Sequence, residues 1–352
     1  MTPTRSGIAA VALAATGLLA GCNESTPAAI TTTEPPSASC VRPPVASSGA
    51  SPAVGAQRIA VGPHGDLWVV ENGTNAIAQV SLSGCVHTFV LPTPASAPFD
   101  IAAGPDGALW FTEFEGDRIG RITTGGAIRE FPLPTDSAGP RGITEGTDGA
   151  VWFTEYAAVA VGRISTSGAV NEYPYPHAGN HPGGIVEELD GNLWFTQSGP
   201  DAGIGRSTPT GAITQSPLPG ATSDPAGQSP MVALGPDGNL WVAEPDTDSI
   251  AKMVPGGTAV TFSLPNPHSG PEGIAAGPDG AMWFTERTGD RIGRITLAGA
   301  ISEYPLPTAG SQPAGIAAAP DHAIWFTEAG DNRIGRITPS GAITEYALPT
   351  AP

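Results

Sequence analysis

From Gln57 onward the chain is a succession of short apolar runs separated by Gly, Pro, Asp and Ser, too brief for helices and of the right length for strands. The clearest stretch reads Gly273-Ile-Ala-Ala-Gly-Pro-Asp-Gly-Ala-Met-Trp-Phe-Thr-Glu286, then Arg291-Ile-Gly-Arg-Ile-Thr296, then Gly299-Ala-Ile-Ser-Glu-Tyr-Pro-Leu-Pro307. Four apolar runs make one unit of four strands. The unit recurs: Trp68, Trp110, Trp152, Trp194, Trp241, Trp283 and Trp325 lie 42, 42, 42, 47, 42 and 42 residues apart. Such a series predicts an all-β fold, a seven-bladed β-propeller with four-stranded blades, over residues 57–352. The blades fall at about 57–98, 99–140, 141–182, 183–229, 230–271, 272–313 and 314–352.

Turn chemistry places the strands within each blade. The first run ends at a Pro-Asp-Gly-like turn whose Asp recurs at Asp106, Asp148, Asp190, Asp237, Asp279 and Asp321, with His64 in the first copy. These are turn formers. The second run carries Trp-Phe-Thr-Glu, and its Trp is expected to pack between adjacent blades. Three residues past each Trp stand Glu71, Glu113, Glu155, Gln197, Glu244, Glu286 and Glu328. Two readings of these acids stand: ion pairing with the Arg of the third run (Arg121, Arg163, Arg294, Arg336), or a cation-binding ring with Glu244 and Glu286 as metal-ligand candidates.

A residue present in every blade answers a need every blade shares, so specific chemistry belongs where the copies differ. In a propeller the first strand lies innermost, and the segment entering it shares a top face with the loop between strands two and three. Eleven residues before each Trp, at that entrance, stand Gln57, Phe99, Arg141, Gly183, Pro230, Glu272 and Ala314. Seven different side chains on one repeated frame read either as a ligand-facing position or as drift at a solvated loop. The 47-residue spacing puts a longer top loop at Gly220–Ser229, near which His177 and His181 enter blade four and His268 enters blade six. The ligand-binding candidates are Phe99, Arg141, His181, His268 and Glu272. As loop positions, Arg141 and Glu272 are expected to tolerate alanine with little loss of stability.

The composition, 47 Gly and 38 Pro with 14% charged residues, suits turns rather than helices. The formal charge of -18 and a single lysine, Lys252, exclude a nucleic-acid phosphate backbone as partner. A small-molecule, peptide or protein ligand on the top face remains. Residues 1–22 carry Arg5 and an apolar stretch from Gly7 to Gly21, the length of an export-signal core. Their end, Leu19-Ala20-Gly21-Cys22, resembles a bacterial lipoprotein signal, which implies lipidation at Cys22 and a membrane-anchored periplasmic or extracellular protein; an ordinary secretory signal is the alternative. Residues 23–56 read as a disordered tether rich in Ser, Thr, Pro and Ala. After export, Cys40 and Cys85 either form a disulfide or stay as two thiols.

The repeated Gly-Ile-x-x-Gly-Pro-Asp-Gly-x-Trp-Phe-Thr-Glu, Arg-Ile-Gly-Arg-Ile-Thr and Ile-Thr-Glu-Tyr-x-Leu-Pro-Thr resemble the virginiamycin B lyase (streptogramin lyase) family over about residues 57–352. The resemblance implies a seven-bladed propeller and, in active members, Mg²⁺-assisted β-elimination that opens a cyclic depsipeptide antibiotic at its ester. It also implies a base, His, in a Pro-His-Gly-Ile at the entrance to an innermost strand. This chain has Pro98-Phe-Asp-Ile, Pro140-Arg-Gly-Ile, Pro182-Gly-Gly-Ile, Ser229-Pro-Met-Val, Pro271-Glu-Gly-Ile and Pro313-Ala-Gly-Ile. No catalytic residue carries over, so a binding or interaction protein is the first expectation. The alternatives are a carbon-oxygen lyase using Glu272 or a displaced His181 or His268 as base, and a metal-dependent lactonase-like hydrolase.

Overall fold

In a computed structural model, residues 55–176, 179–218 and 230–348 are described. They form seven four-stranded antiparallel sheets, each with its strands in sequence order. Two single 3-10 turns, Asn72–Thr74 and Pro245–Thr247, are the only helical pieces among the described residues. The inner strands are Ala56–Val61, Pro98–Ala103, Pro140–Glu145, His181–Glu187, Met231–Leu234, Pro271–Ala276 and Pro313–Ala318. Each packs against the next, and the last closes the ring on the first. The chain is a seven-bladed propeller. The leader, residues 23–54 of the tether, Cys22, Cys40, His177 and the Gly220–Ser229 loop lie outside the described residues, and Ala56, expected to end the tether, opens the first strand instead. Cys85 is disulfide-bonded.

Every sheet is covered on both faces, which is why the second strand is buried along its whole length. Its Trp faces the next blade and its Phe the preceding one: Trp283 packs with Ile316 and Phe326, whereas Phe284 packs with Trp241. The Trp ring stacks on the aromatic residue of its own fourth strand, as with Trp110 on Phe131 at 5.5 Å and Trp283 on Tyr304 at 5.7 Å. Across the sheet from the Phe lies the Gly of Ile-Gly-Arg. A Cβ on Gly120 would sit 2.1 Å from the Phe111 ring, so no larger residue fits.

The third-run arginines do not pair with the second-strand acids. Arg121, Arg163, Arg294 and Arg336 donate Nε to Asp106, Asp148, Asp279 and Asp321 at 2.6 to 2.7 Å. The other oxygen of each Asp accepts the Trp Nε1 hydrogen, at 3.0 Å for both Trp110 and Trp283. Each guanidinium also lies over its Trp ring, 5.9 Å from the centroid in both Trp110 and Trp283. The reason is register: Trp110 stands directly opposite Arg121, so the arginine reaches the turn at the Trp end and not the acid at the far end of the strand. The Asp is therefore more than a turn former. Burial works against its charge, yet the Trp and Arg hydrogen bonds hold Asp106 and Asp279 below the usual carboxylate range. In blade five Lys252 replaces the arginine at 2.7 Å and Asp237 is held down at about 2.

Candidate functional site on the top face

Six of the seven inner strands, all but that of blade five, start with an irregularity that decides where the entrance side chains point. Pro98 pairs with Glu113 but Ile101 pairs with Phe111, so Phe99 and Asp100 occupy a bulge, and the same shift recurs at blades one, three, four, six and seven. Bulges re-aim side chains. The bulge is tied down by the Thr of Trp-Phe-Thr-Glu. Thr285 Oγ1 accepts from Gly273 N at 2.8 Å within its blade and donates to Ala314 O at 2.8 Å in the next. Thr112, Thr154 and Thr327 do the same for the entrances at Arg141, Gly183 and Gln57. Val70 and Ala243 stand at this place in blades one and five, so the entrances at Phe99 and Glu272 lack the tie. Thr285→Val, which keeps the shape and removes the hydroxyl, should cost about 1 to 3 kcal/mol in a chemical denaturation experiment, because it strands a buried donor and acceptor.

The glycine after the entrance residue is there for room. A Cβ on Gly142 would meet Gly183 O at 2.5 Å, and one on Gly273 would meet Ala314 O at 2.3 Å. Two blades break this rule with charged residues, Arg58 and Asp100. The Asp100 carboxylate accepts from Ile101 N at 2.9 Å and from Ile143 N of the next blade at 3.2 Å. Burial raises its pKa, opposed by the Arg58 charge and these two amides.

Arg58 and Asp100 belong to a continuous run of side chains across the mouth of the channel. His181 stacks on Tyr156 at 4.5 Å, Arg141 lies over Tyr156 at 4.5 Å and over Phe99 at 4.8 Å, and Arg58 lies over Phe99 at 5.6 Å. Arg58 Nη1 is 3.1 Å from Glu272 Oε1, and Arg287 Nη1 is 2.7 Å from Glu272 Oε2. Phe114 sits between Phe99 and Tyr156, at 6.4 and 6.3 Å. Blades six, one, two, three and four thus supply one cluster, charged at the Glu272 end and aromatic at the other. Four of the five candidates, Phe99, Arg141, His181 and Glu272, are brought into it. The fifth, His268, is exposed at φ 61°, and its hydrogen-bonded contacts, with Asp248 and Thr288, are through its main chain.

The expectation of exposed, expendable loop positions does not hold for two of them. Arg141 is 9% and Glu272 6% exposed. Sequence reading also missed Arg58, Asp100, Phe114, Tyr156 and Arg287. For Phe114, Tyr156 and Arg287 the signal was present: the residue after each second-strand acid is Asn72, Phe114, Tyr156, Ser198, Pro245, Arg287 or Ala329, again seven different side chains on one frame.

The second-strand acids are sealed between blades. Glu71, Glu113, Glu155, Glu286 and Glu328 have no exposure and Glu244 has 2%. Burial pushes Glu71, Glu113, Glu244 and Glu286 up to about 7 and Glu155 and Glu328 up to about 8. Glu244 accepts the Ser249 hydroxyl at 2.8 Å. Among the described residues no group of three or more His, Cys, Asp or Glu could hold a metal ion. Glu244 and Glu286 belong to no such group among the described residues.

The described residues form a seven-bladed propeller whose mouth carries a cluster found in no single repeat. The profile of the virginiamycin B lyase family matches residues 44–227 and 221–352, and the chain belongs to that family. A streptogramin B lyase structure is 33% identical over 81% of this chain and 94% of its own, with a TM-score of 0.75. Virginiamycin B lyase from Staphylococcus aureus is 34% identical over 85% and 97%, with a TM-score of 0.74. A catalytically inactive His-to-Ala variant of that enzyme, solved with quinupristin, is 34% identical over 84% and 96%, with a TM-score of 0.74. No curated protein matches the chain.

Proposed function

We propose that this chain is a ligand-binding member of the family that holds an aromatic, macrocyclic peptide of the streptogramin type at the mouth of the channel and leaves its ester intact. The observation that carries this reading is Glu272. It stands in one of four Pro-x-Gly-Ile entrances, the frame in which the resemblance places a histidine, and its two oxygens form ion pairs with Arg58 and Arg287. Oε2 accepts the Arg287 hydrogen bond and Oε1 faces the Arg58 charge, so the carboxylate is held in ion pairs. Phe99, Phe114, Tyr156 and His181, all half-buried, offer aromatic surface instead.

One observation favours a second reading, the lyase. His181 Nδ1 lies 2.7 Å from the Tyr156 carbonyl, which can only accept, so Nδ1 carries the hydrogen and the neutral ring keeps its lone pair on Nε2. Nε2 would take the proton α to a substrate carbonyl while the C–O pair leaves with the ester oxygen as carboxylate.

Chromatography with mass detection separates the outcomes, because elimination gives an isomer of unchanged mass and hydrolysis adds one water. Incubated with quinupristin and Mg²⁺, the purified protein should return the compound at its original retention time. An isomer of shifted retention formed at a turnover on the order of 1 s⁻¹ or more, and lost in His181→Ala, would establish the lyase instead.

A further inference from the structure

Blade three differs from its neighbours just beneath the ligand cluster. In blades two, six and seven the buried second-strand acid has a serine beside it (Ser96, Ser269, Ser311) and an arginine starting the third strand (Arg118, Arg291, Arg333). Blade three has Ala138 and Ala160 at these two places. The charges that face Glu155 are both negative: Glu172 on the fourth strand of its own blade and Asp117 from blade two. Asp117 is already committed, accepting Ser137 N at 2.9 Å and Gly139 N at 3.1 Å. Glu172 accepts from both the amide and the hydroxyl of Thr135, at 3.2 and 2.6 Å. Neither Glu155 oxygen has a hydrogen-bond partner, and the residue is fully buried.

Two neighbouring carboxyl groups with no cation beside them cannot both keep their charge in a buried place, and a shared proton relieves the repulsion. The same place in blade four shows what the site requires: Gln197 replaces the buried acid and Gln215 the outer one, and the Tyr175 hydroxyl joins them at 2.7 Å to each. There a neutral hydrogen-bonded bridge does what the acid pair must do with a proton.

The pair sits at the root of the ligand cluster. Glu155 stands opposite Pro140, the residue before Arg141, and is itself followed by Tyr156, whose amide donates to Gly139 O at 2.9 Å. We infer that Glu155 and Glu172 share one proton, that this proton fixes the Thr135–Gly139 loop, and that its loss loosens the arm presenting Arg141 and Tyr156. The consequence for ligand affinity rests on the binding function proposed above. Burial first, then Glu172 and Asp117, push Glu155 up to about 8. A raised carboxyl pKa stabilises the folded arm at low pH, and this contribution is lost as pH rises toward and through that value.

Hydrogen exchange read as protection factors, which remove the intrinsic pH dependence of exchange, tests the loop directly. In the wild type, protection of residues 135–141 should fall about tenfold or more between about pH 7 and 9, the change expected for one pH unit past the pKa. In Glu155→Gln, which installs the side chain that blade four carries at Gln197, it should stay level. Glu172→Gln serves as the second variant and should also flatten the profile. A wild-type profile as flat as that of Glu155→Gln overturns the shared proton. Quinupristin titrated at the same pH values tests the coupling: its affinity should fall in step with loop protection in the wild type and stay constant in Glu155→Gln. Binding that ignores pH while the loop loosens overturns the coupling alone. No binding at any pH, with the loop still responding, counts against the proposed ligand and leaves the proton switch standing.

Discussion

Replacing Glu272 by alanine is expected to lower the unfolding free energy by about 3 to 5 kcal/mol, the range for removing one partner of a buried ion pair. Burial decides the size. An exposed pair is worth about 0 to 1 kcal/mol, but the Glu272 side chain is 8% exposed and Arg58 7%. With the carboxylate gone, Arg287, whose side chain is 22% exposed, can turn toward water. Arg58 cannot, and its charge stays in the mouth of the channel against the Phe99 ring and the buried Asp100. Denaturant unfolding with an unchanged slope and a lowered midpoint is the expected readout. A loss below about 1 kcal/mol would mean that the cluster is wet and that the exposed-pair value applies.

A loss of about 3 to 5 kcal/mol is also expected for Trp283→Ala, through the cavity left between blades six and seven. Trp283 is fully buried against Ile316, Phe326 and Ile337, and its Nε1 supplies one of the hydrogen bonds that hold Asp279 in place for Arg294. The mechanism differs from that at Glu272 and so does the functional readout. Trp283 lies away from the mouth, so the folded fraction of Trp283→Ala should keep the wild-type affinity for quinupristin, whereas Glu272→Ala should lose it. Stability near the wild-type value would contradict the interblade packing.

The tryptophan spacing and the four apolar runs made the blades legible, because a strand's apolar run and its turn residues are local properties. The partner of Arg121 was not legible in the same way. The repetition of Glu113 and Arg121 in the unit left an ion pair between them as one of two readings, but cross-strand register placed the arginine opposite Trp110 and within reach of Asp106. At the mouth, the variable entrance position singled out Phe99, Arg141 and Glu272, which stand in one cluster. It missed Arg58 and Asp100, which replace the sterically required glycine, and Tyr156 and Arg287, which lie on a different loop. Contacts such as Arg58 with Glu272 join blade one to blade six, and such contacts depend on closure of the ring, which no local pattern encodes. The burial of Arg141 and Glu272 follows from the same closure.

A crystal structure of the protein with quinupristin tests the central claim most directly, since it reports position and chemistry together. The expected result is an intact macrocycle at the mouth of the channel, its aromatic groups against Phe99, Phe114 and Tyr156 and its ester unbroken. Density for an opened ester beside His181 Nε2, or a macrocycle bound at the Asp-turn end of the ring, would contradict it.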